Sequence, residues 1–133
     1  MRQSRAVRID PARPLTSEER RVLAMLLSVA FDGVEQLRDQ SRHAAVLGRC
    51  DCGCPTVELS VPPNTPAFPG QVLNRLAPVQ GRVRSQAGEP LGDVLLFVDD
   101  GRLSALELAW HGDEAPRAWP PSAQITLEPP GEE

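Results

Sequence analysis

The sequence predicts an α+β domain: two N-terminal helices packed on one face of a four- or five-stranded antiparallel sheet. Three observations carry this expectation. Thr16 and Glu19 have capping-box spacing, and after them Val22, Leu23, Leu26, Leu27, Val29 and Ala30 recur at helical intervals. Beyond Ala44 the apolar period changes to two, with Val57, Leu59 and Val61 alternating with Thr56, Glu58 and Ser60. Asp99-Asp100-Gly101 then separates two apolar runs with a hairpin turn, because Gly accepts positive φ and Asp tolerates it.

Taken in order, residues 1–14 read as a flexible basic arm, closed by Pro11 and Pro14. Arg2, Arg5, Arg8 and Arg13 face a single Asp10 there, and Arg20 and Arg21 extend the basic run. Residues 15–128 read as one domain and 129–133 as a tail. The first helix follows Thr16, with Glu18 and Glu19 suited to the positive end of its dipole. Asp32 is the expected cap of a second, shorter helix, with Val34 and Leu37 inward and Arg38, Asp39 and Gln40 outward.

Residues 44–49 and 56–61 are expected strands, joined through Cys50–Pro55 as a hairpin. Prolines 62, 63, 66, 69 and 78 make 62–78 a proline-rich loop and exclude a central strand. Phe68, Val72 and Leu76 are available to pin it, and a short helix near 70–76 would shorten it. Residues 79–85 form a further strand. Val94–Val98 is apolar without alternation, so both its faces should be covered. Leu103–His111 returns with Leu106, Leu108 and Trp110 on one face, and Leu103 out of phase predicts a bulge. Trp119 should anchor the polar segment after Gly112, with Ile125 and Leu127 on a short edge strand. The expected core is Leu23, Leu26, Leu27, Val57, Leu59, Val83, Leu95, Phe97, Leu106, Leu108 and Trp110.

Composition bounds the function. A chain of 133 residues with 41% hydrophobic residues can bury a core without disulfides. A net charge of −4 argues against coating nucleic acid. No apolar run approaches the ~20 residues that span a bilayer, and no apolar segment follows the first arginines as in a signal peptide. The expectation is a cytoplasmic protein, monomeric or homodimeric, with no membrane or nucleic-acid partner. Every cation is arginine, and tyrosine is absent.

Cys50-Asp51-Cys52-Gly53-Cys54-Pro55 is the most unusual run. Cys50, Cys52 and Cys54 with His43 would supply the four ligands that zinc takes in a tetrahedron, sulfur at about 2.3 Å. The spacing opposes this, since alternate residues on a straight strand sit roughly 6.6 Å apart. Only a tight turn at Cys52-Gly53 would converge the thiols. Redox or nucleophilic chemistry needs a thiolate-stabilising neighbour; Arg49 is adjacent, but Asp51 opposes it. Packing as small hydrophobes in a hairpin is the reading that the residues favour.

A second patch, Trp110-His111-Gly112-Asp113-Glu114 with Glu107 behind it, combines acid–base and metal-ligand residue types at a strand end. An acidic, solvated strand-to-loop junction with Trp110 packed in the core is the reading that the residues favour. No phosphate-binding glycine loop, HExxH, GxSxG or EF-hand loop occurs.

Gly48-Arg49-Cys50-Asp51-Cys52-Gly53-Cys54-Pro55, together with Asp99-Asp100-Gly101-Arg102-Leu103 running to Trp110, resembles short uncharacterised proteins of high-GC, actinobacterial-type bacteria. The resemblance spans roughly residues 15–120 and implies a self-contained domain, with no activity to carry over. The function expected first is a non-enzymatic protein-interaction module, accessory or immunity-type, with a protein partner. The alternative is a thiol-dependent zinc-binding or redox protein built on Cys50, Cys52 and Cys54.

Overall fold

The computed structural model describes residues 6–70, 72 and 74–129. Among them, in chain order, are strand β1 (Ala6–Pro14), helices α1 (Ser17–Leu26) and α2 (Val34–Ser41), and strands β2 (Ala45–Cys50), β3 (Val57–Ser60), β4 (Leu76–Arg84), β5 (Pro90–Asp99), β6 (Arg102–Trp110) and β7 (Ile125–Glu128). The seven strands form one antiparallel sheet in the order β1-β2-β3-β6-β5-β4-β7. The chain leaves β3, crosses to β4, and returns through the β4-β5-β6 meander until β6 lies beside β3. Both helices and the alternate buried residues of the strands share one core.

The α+β class therefore holds, but the sheet has seven strands rather than four or five, and the helices lie between β1 and β2 rather than at the N-terminus. Residues 6–14 are not an arm. They pair with β2 as an edge strand, with a register shift between Arg8 and Arg13. An edge strand tolerates proline because one row of its N–H groups faces no neighbour, so Pro11 and Pro14 did not exclude pairing. Arg2 and Arg5 lie outside the described residues, as does the tail beyond 129.

At α1 the sequence signals translate directly. Thr16 Oγ1 accepts from Glu19 N–H at 3.1 Å, and Glu19 Oε1 accepts from Thr16 N–H at 2.8 Å. Arg13 adds a two-pronged ion pair to Glu19, both contacts at 3.0 Å, tying β1 to the helix start. Burial alone would raise the Glu19 carboxyl, but Arg13 and Thr16 hold it below its ordinary 4.5. A depressed folded pKa gives stability that is present above about pH 4.5 and lost as pH falls through the folded value. Glu19→Gln is expected to destabilise by about 1 kcal/mol near neutrality. That difference should shrink toward zero in urea titrations below the folded pKa; a gap independent of pH would refute the linkage.

At α2 the expectation fails in two places. Gly33, at φ +91°, is the N-cap instead of Asp32, and no side chain caps the helix. Gln40, expected outside, is fully buried. Its Nε2 donates to Pro66 O and Gly101 O, both at 2.8 Å, and its Oε1 accepts from Leu103 N–H at 2.9 Å. One amide thus fastens the proline-rich loop and the β5–β6 turn to the helix. Phe68 completes that attachment. It is buried, meets Phe31 edge-on at 6.3 Å, and donates its N–H to Gly101 O at 2.9 Å. Val72 is exposed and pins nothing. Among the described residues no helix forms near 70–76; Asn74 and Arg75 instead turn through left-handed φ values of 57° and 67°.

β4 starts earlier than expected and includes Pro78. The register jumps between Leu76 and Gln80, and β7 pairs only with Gln80–Val83, so the missing N–H falls where the ladder is already interrupted. In β5 the run of apolar residues conceals an alternation. Val94, Leu96 and Val98 are fully buried, whereas Leu95 and Phe97 are only half-buried and do not belong to the core. The Arg75 guanidinium lies 5.0 Å from the centre of the Phe97 ring, shielding that ring without a second layer. The predicted bulge is present: Phe97 pairs with Ala105 but Val98 with Leu103, leaving Ser104 as the extra residue. Trp119 is buried as expected, Ile125 and Leu127 lie on the expected short edge strand β7, and Trp110 is only partly buried.

Candidate functional site

β2 ends at Cys50 and β3 begins at Val57, so the cysteine run is the connection of a β-hairpin. Cys50 N–H donates to Thr56 O at 3.4 Å, and Gly53 N–H returns to Cys50 O at 3.5 Å. Gly53 adopts φ +91°, a conformation that L side chains rarely enter. The Arg117 guanidinium lies beside it, Nη1 2.5 Å from where a Cβ would stand. This turn overcomes the strand-spacing objection. The three Sγ atoms all lie within 4.8 Å of one another.

The sulfurs are also oriented. Cys52 N–H donates to Cys50 Sγ, and Cys54 N–H to Cys52 Sγ, each at 3.4 Å. Cys50 and Cys52 Sγ are 2.7 Å apart. That is longer than an S–S bond of about 2.05 Å, and none of the three cysteines is in a disulfide. All are partly exposed. Burial pushes the Cys54 thiol up to about 11, against hydrogen bonds from Thr56.

The thiols line one wall of a cleft of about 750 Å³. The other wall comes from the end of β6 and the segment after it, including Glu107, Trp110, Asp113 and Glu114, with Arg117 at the rim beside Gly53. Thr56 joins the walls, its Oγ1 accepting from Leu108 N–H at 3.0 Å. Burial raises the Glu107 carboxyl above its ordinary value, partly offset by Arg75. The two patches that the sequence singled out separately are therefore neighbours, because β3 and β6 are adjacent.

Two of the candidate residues are not brought in. His43 is exposed between α2 and β2. Cys50 closes the opposite end of that strand, roughly 20 Å away at the rise of an extended chain. His43 is thus not a fourth ligand to this cluster. His111 does not line the cleft; its Nε2 lies 3.2 Å from Asp93 Oδ2. Conversely, Thr56 and Arg117 belong to the site and carried no sequence signal. Neither falls in a motif, and only the hairpin geometry and the chain path after Gly112 place them. No protein-family model, curated protein or solved structure matches the chain.

Proposed function

We propose that this protein binds a thiophilic metal ion, zinc in the first instance, through the thiolates of Cys50, Cys52 and Cys54. The observation that carries the reading is the convergence of three Sγ atoms within 4.8 Å at the wall of an open cleft. Thiolate sulfur is the donor that zinc and other soft ions prefer. The backbone N–H groups of Cys52 and Cys54, aimed at Cys50 and Cys52 Sγ, hold those two sulfurs in orientation. Three thiolates around a dication leave one net negative charge, and the Arg117 guanidinium beside the turn offsets it. Zinc takes four ligands, so the fourth position would face the cleft and be filled by water or a ligand bound there.

The protein-interaction reading has less behind it. A docking surface usually displays a contiguous apolar patch, and among the described residues Val72 is the exposed large hydrophobic. The metal reading is tested by native mass spectrometry of protein purified under reducing conditions without chelator. One zinc per chain, lost on acidification, is expected. Cys50→Ser, Cys52→Ser and Cys54→Ser should each weaken zinc by more than the roughly 10–100-fold that loss of an outer-shell partner costs, while His43→Ala leaves affinity unchanged. A bare mass after zinc addition, or serine variants that still hold the ion, would overturn the proposal and redirect the search to a protein partner.

A further inference from the structure

The three sulfurs are not equivalent. Cys50 and Cys52 Sγ stand 2.7 Å apart, while the group as a whole spans up to 4.8 Å. Both thiols line a cleft that admits small solutes, and the turn that holds them is closed by its own backbone contacts. Cys54 Sγ also lies within 4.8 Å of both, but two thiols held 2.7 Å apart react with each other faster than either does with a sulfur farther off.

We propose that Cys50 and Cys52 are an oxidative modification site for small peroxides, and that closing their disulfide dismantles the three-sulfur cluster. In the first step one sulfur attacks a peroxide oxygen. The O–O bond breaks, the sulfur becomes a sulfenic acid, and with hydrogen peroxide one water leaves. In the second step the neighbouring thiol attacks the sulfenic sulfur, an S–S bond forms, and a second water departs. The balance is two thiols and one hydrogen peroxide giving one disulfide and two waters. Cys54 remains a thiol. A metal that had three sulfur ligands then has one, because disulfide sulfur is a poor donor, so the ion leaves. The oxidation itself stands independently; that it ejects a metal rests on the metal reading above.

The test uses the full chain, with and without zinc, treated with hydrogen peroxide, quenched, alkylated and weighed intact. The expected result is one alkylated cysteine instead of three, a loss of two hydrogens, fragment ions linking Cys50 to Cys52, and release of the bound zinc. Cys54→Ser should still form the bridge in the metal-free protein, whereas Cys52→Ser should not form it. A bridge that includes Cys54, dimers linked between chains, or three alkylated thiols after peroxide would overturn the inference while leaving zinc binding untouched. Bridge formation in a chain that takes up no zinc would support the oxidation site and sink the metal reading alone.

Discussion

Gln40→Ala is expected to lower the free energy of unfolding by about 3–4 kcal/mol, as much as a large truncation in the apolar core. The side chain is fully buried and makes three hydrogen bonds, to Pro66 O, Gly101 O and Leu103 N–H. Gly101 O keeps a partner in Phe68 N–H. Leu103 N–H, which is buried, loses its partner at about 1–3 kcal/mol, the carbonyl of the exposed Pro66 passes to water, and the truncated side chain leaves a cavity besides. The sum is a large share of the roughly 5–15 kcal/mol by which domains of this size are stable. Gln40→Glu should be nearly as damaging, because a carboxylate has no donor for the two carbonyls. Urea unfolding checks both. Losses below about 1 kcal/mol would mean that water enters and replaces the amide. The same variants should speed proteolysis between Ser60 and Leu76, since Gln40 fastens that loop to the helix.

Leu106→Ala is expected to cost about 2–5 kcal/mol, and a Tm drop of roughly 10 °C for a chain of this length. Leu106 is fully buried and sits opposite Leu96 on one side and Val57 on the other. The junction of β3 with β6 has only two register pairs, Val57 with Leu106 and Glu58 with Ala105. It joins the β1-β2-β3 half of the sheet to the β6-β5-β4-β7 half. It is also the seam that sets the cysteine hairpin beside Glu107 and Trp110. Truncation there should weaken zinc as well as stability, whereas Leu106→Met, which keeps the volume, should cost less than about 1.5 kcal/mol. Calorimetry and zinc competition on the same samples separate the outcomes. If both variants bind zinc like the parent, the seam does not position the site.

The two results concern residues that sequence patterns treated very differently. Leu106 was legible as core, because it alternates with polar neighbours in a run that follows a strong turn signal. Gln40 was not. A lone amide at a helix C-terminus reads as a solvated residue until the loop carrying Pro66 and the turn carrying Gly101 arrive beside it. Leu95 and Phe97 were misplaced for a related reason. In an unbroken apolar run, period two leaves no trace, so the buried face can be assigned only once the neighbouring strands are seen.

For the site, the sequence by itself supplied the thiols, the glycine between them and the acidic strand end. Those depend on residue type and short spacing, which a chain carries in one dimension. It also determined the helix start at Thr16 and the Asp100-Gly101 turn, because capping and positive φ are local. Tertiary structure alone decided that residues 6–14 pair as an edge strand and that His43 and the cysteines lie at opposite ends of β2. It alone set Arg117 beside Gly53 and brought the two candidate patches to one cleft. Each of these is a contact between segments distant along the chain, selected by how strands order in a sheet, and short-range propensity holds no information about that order.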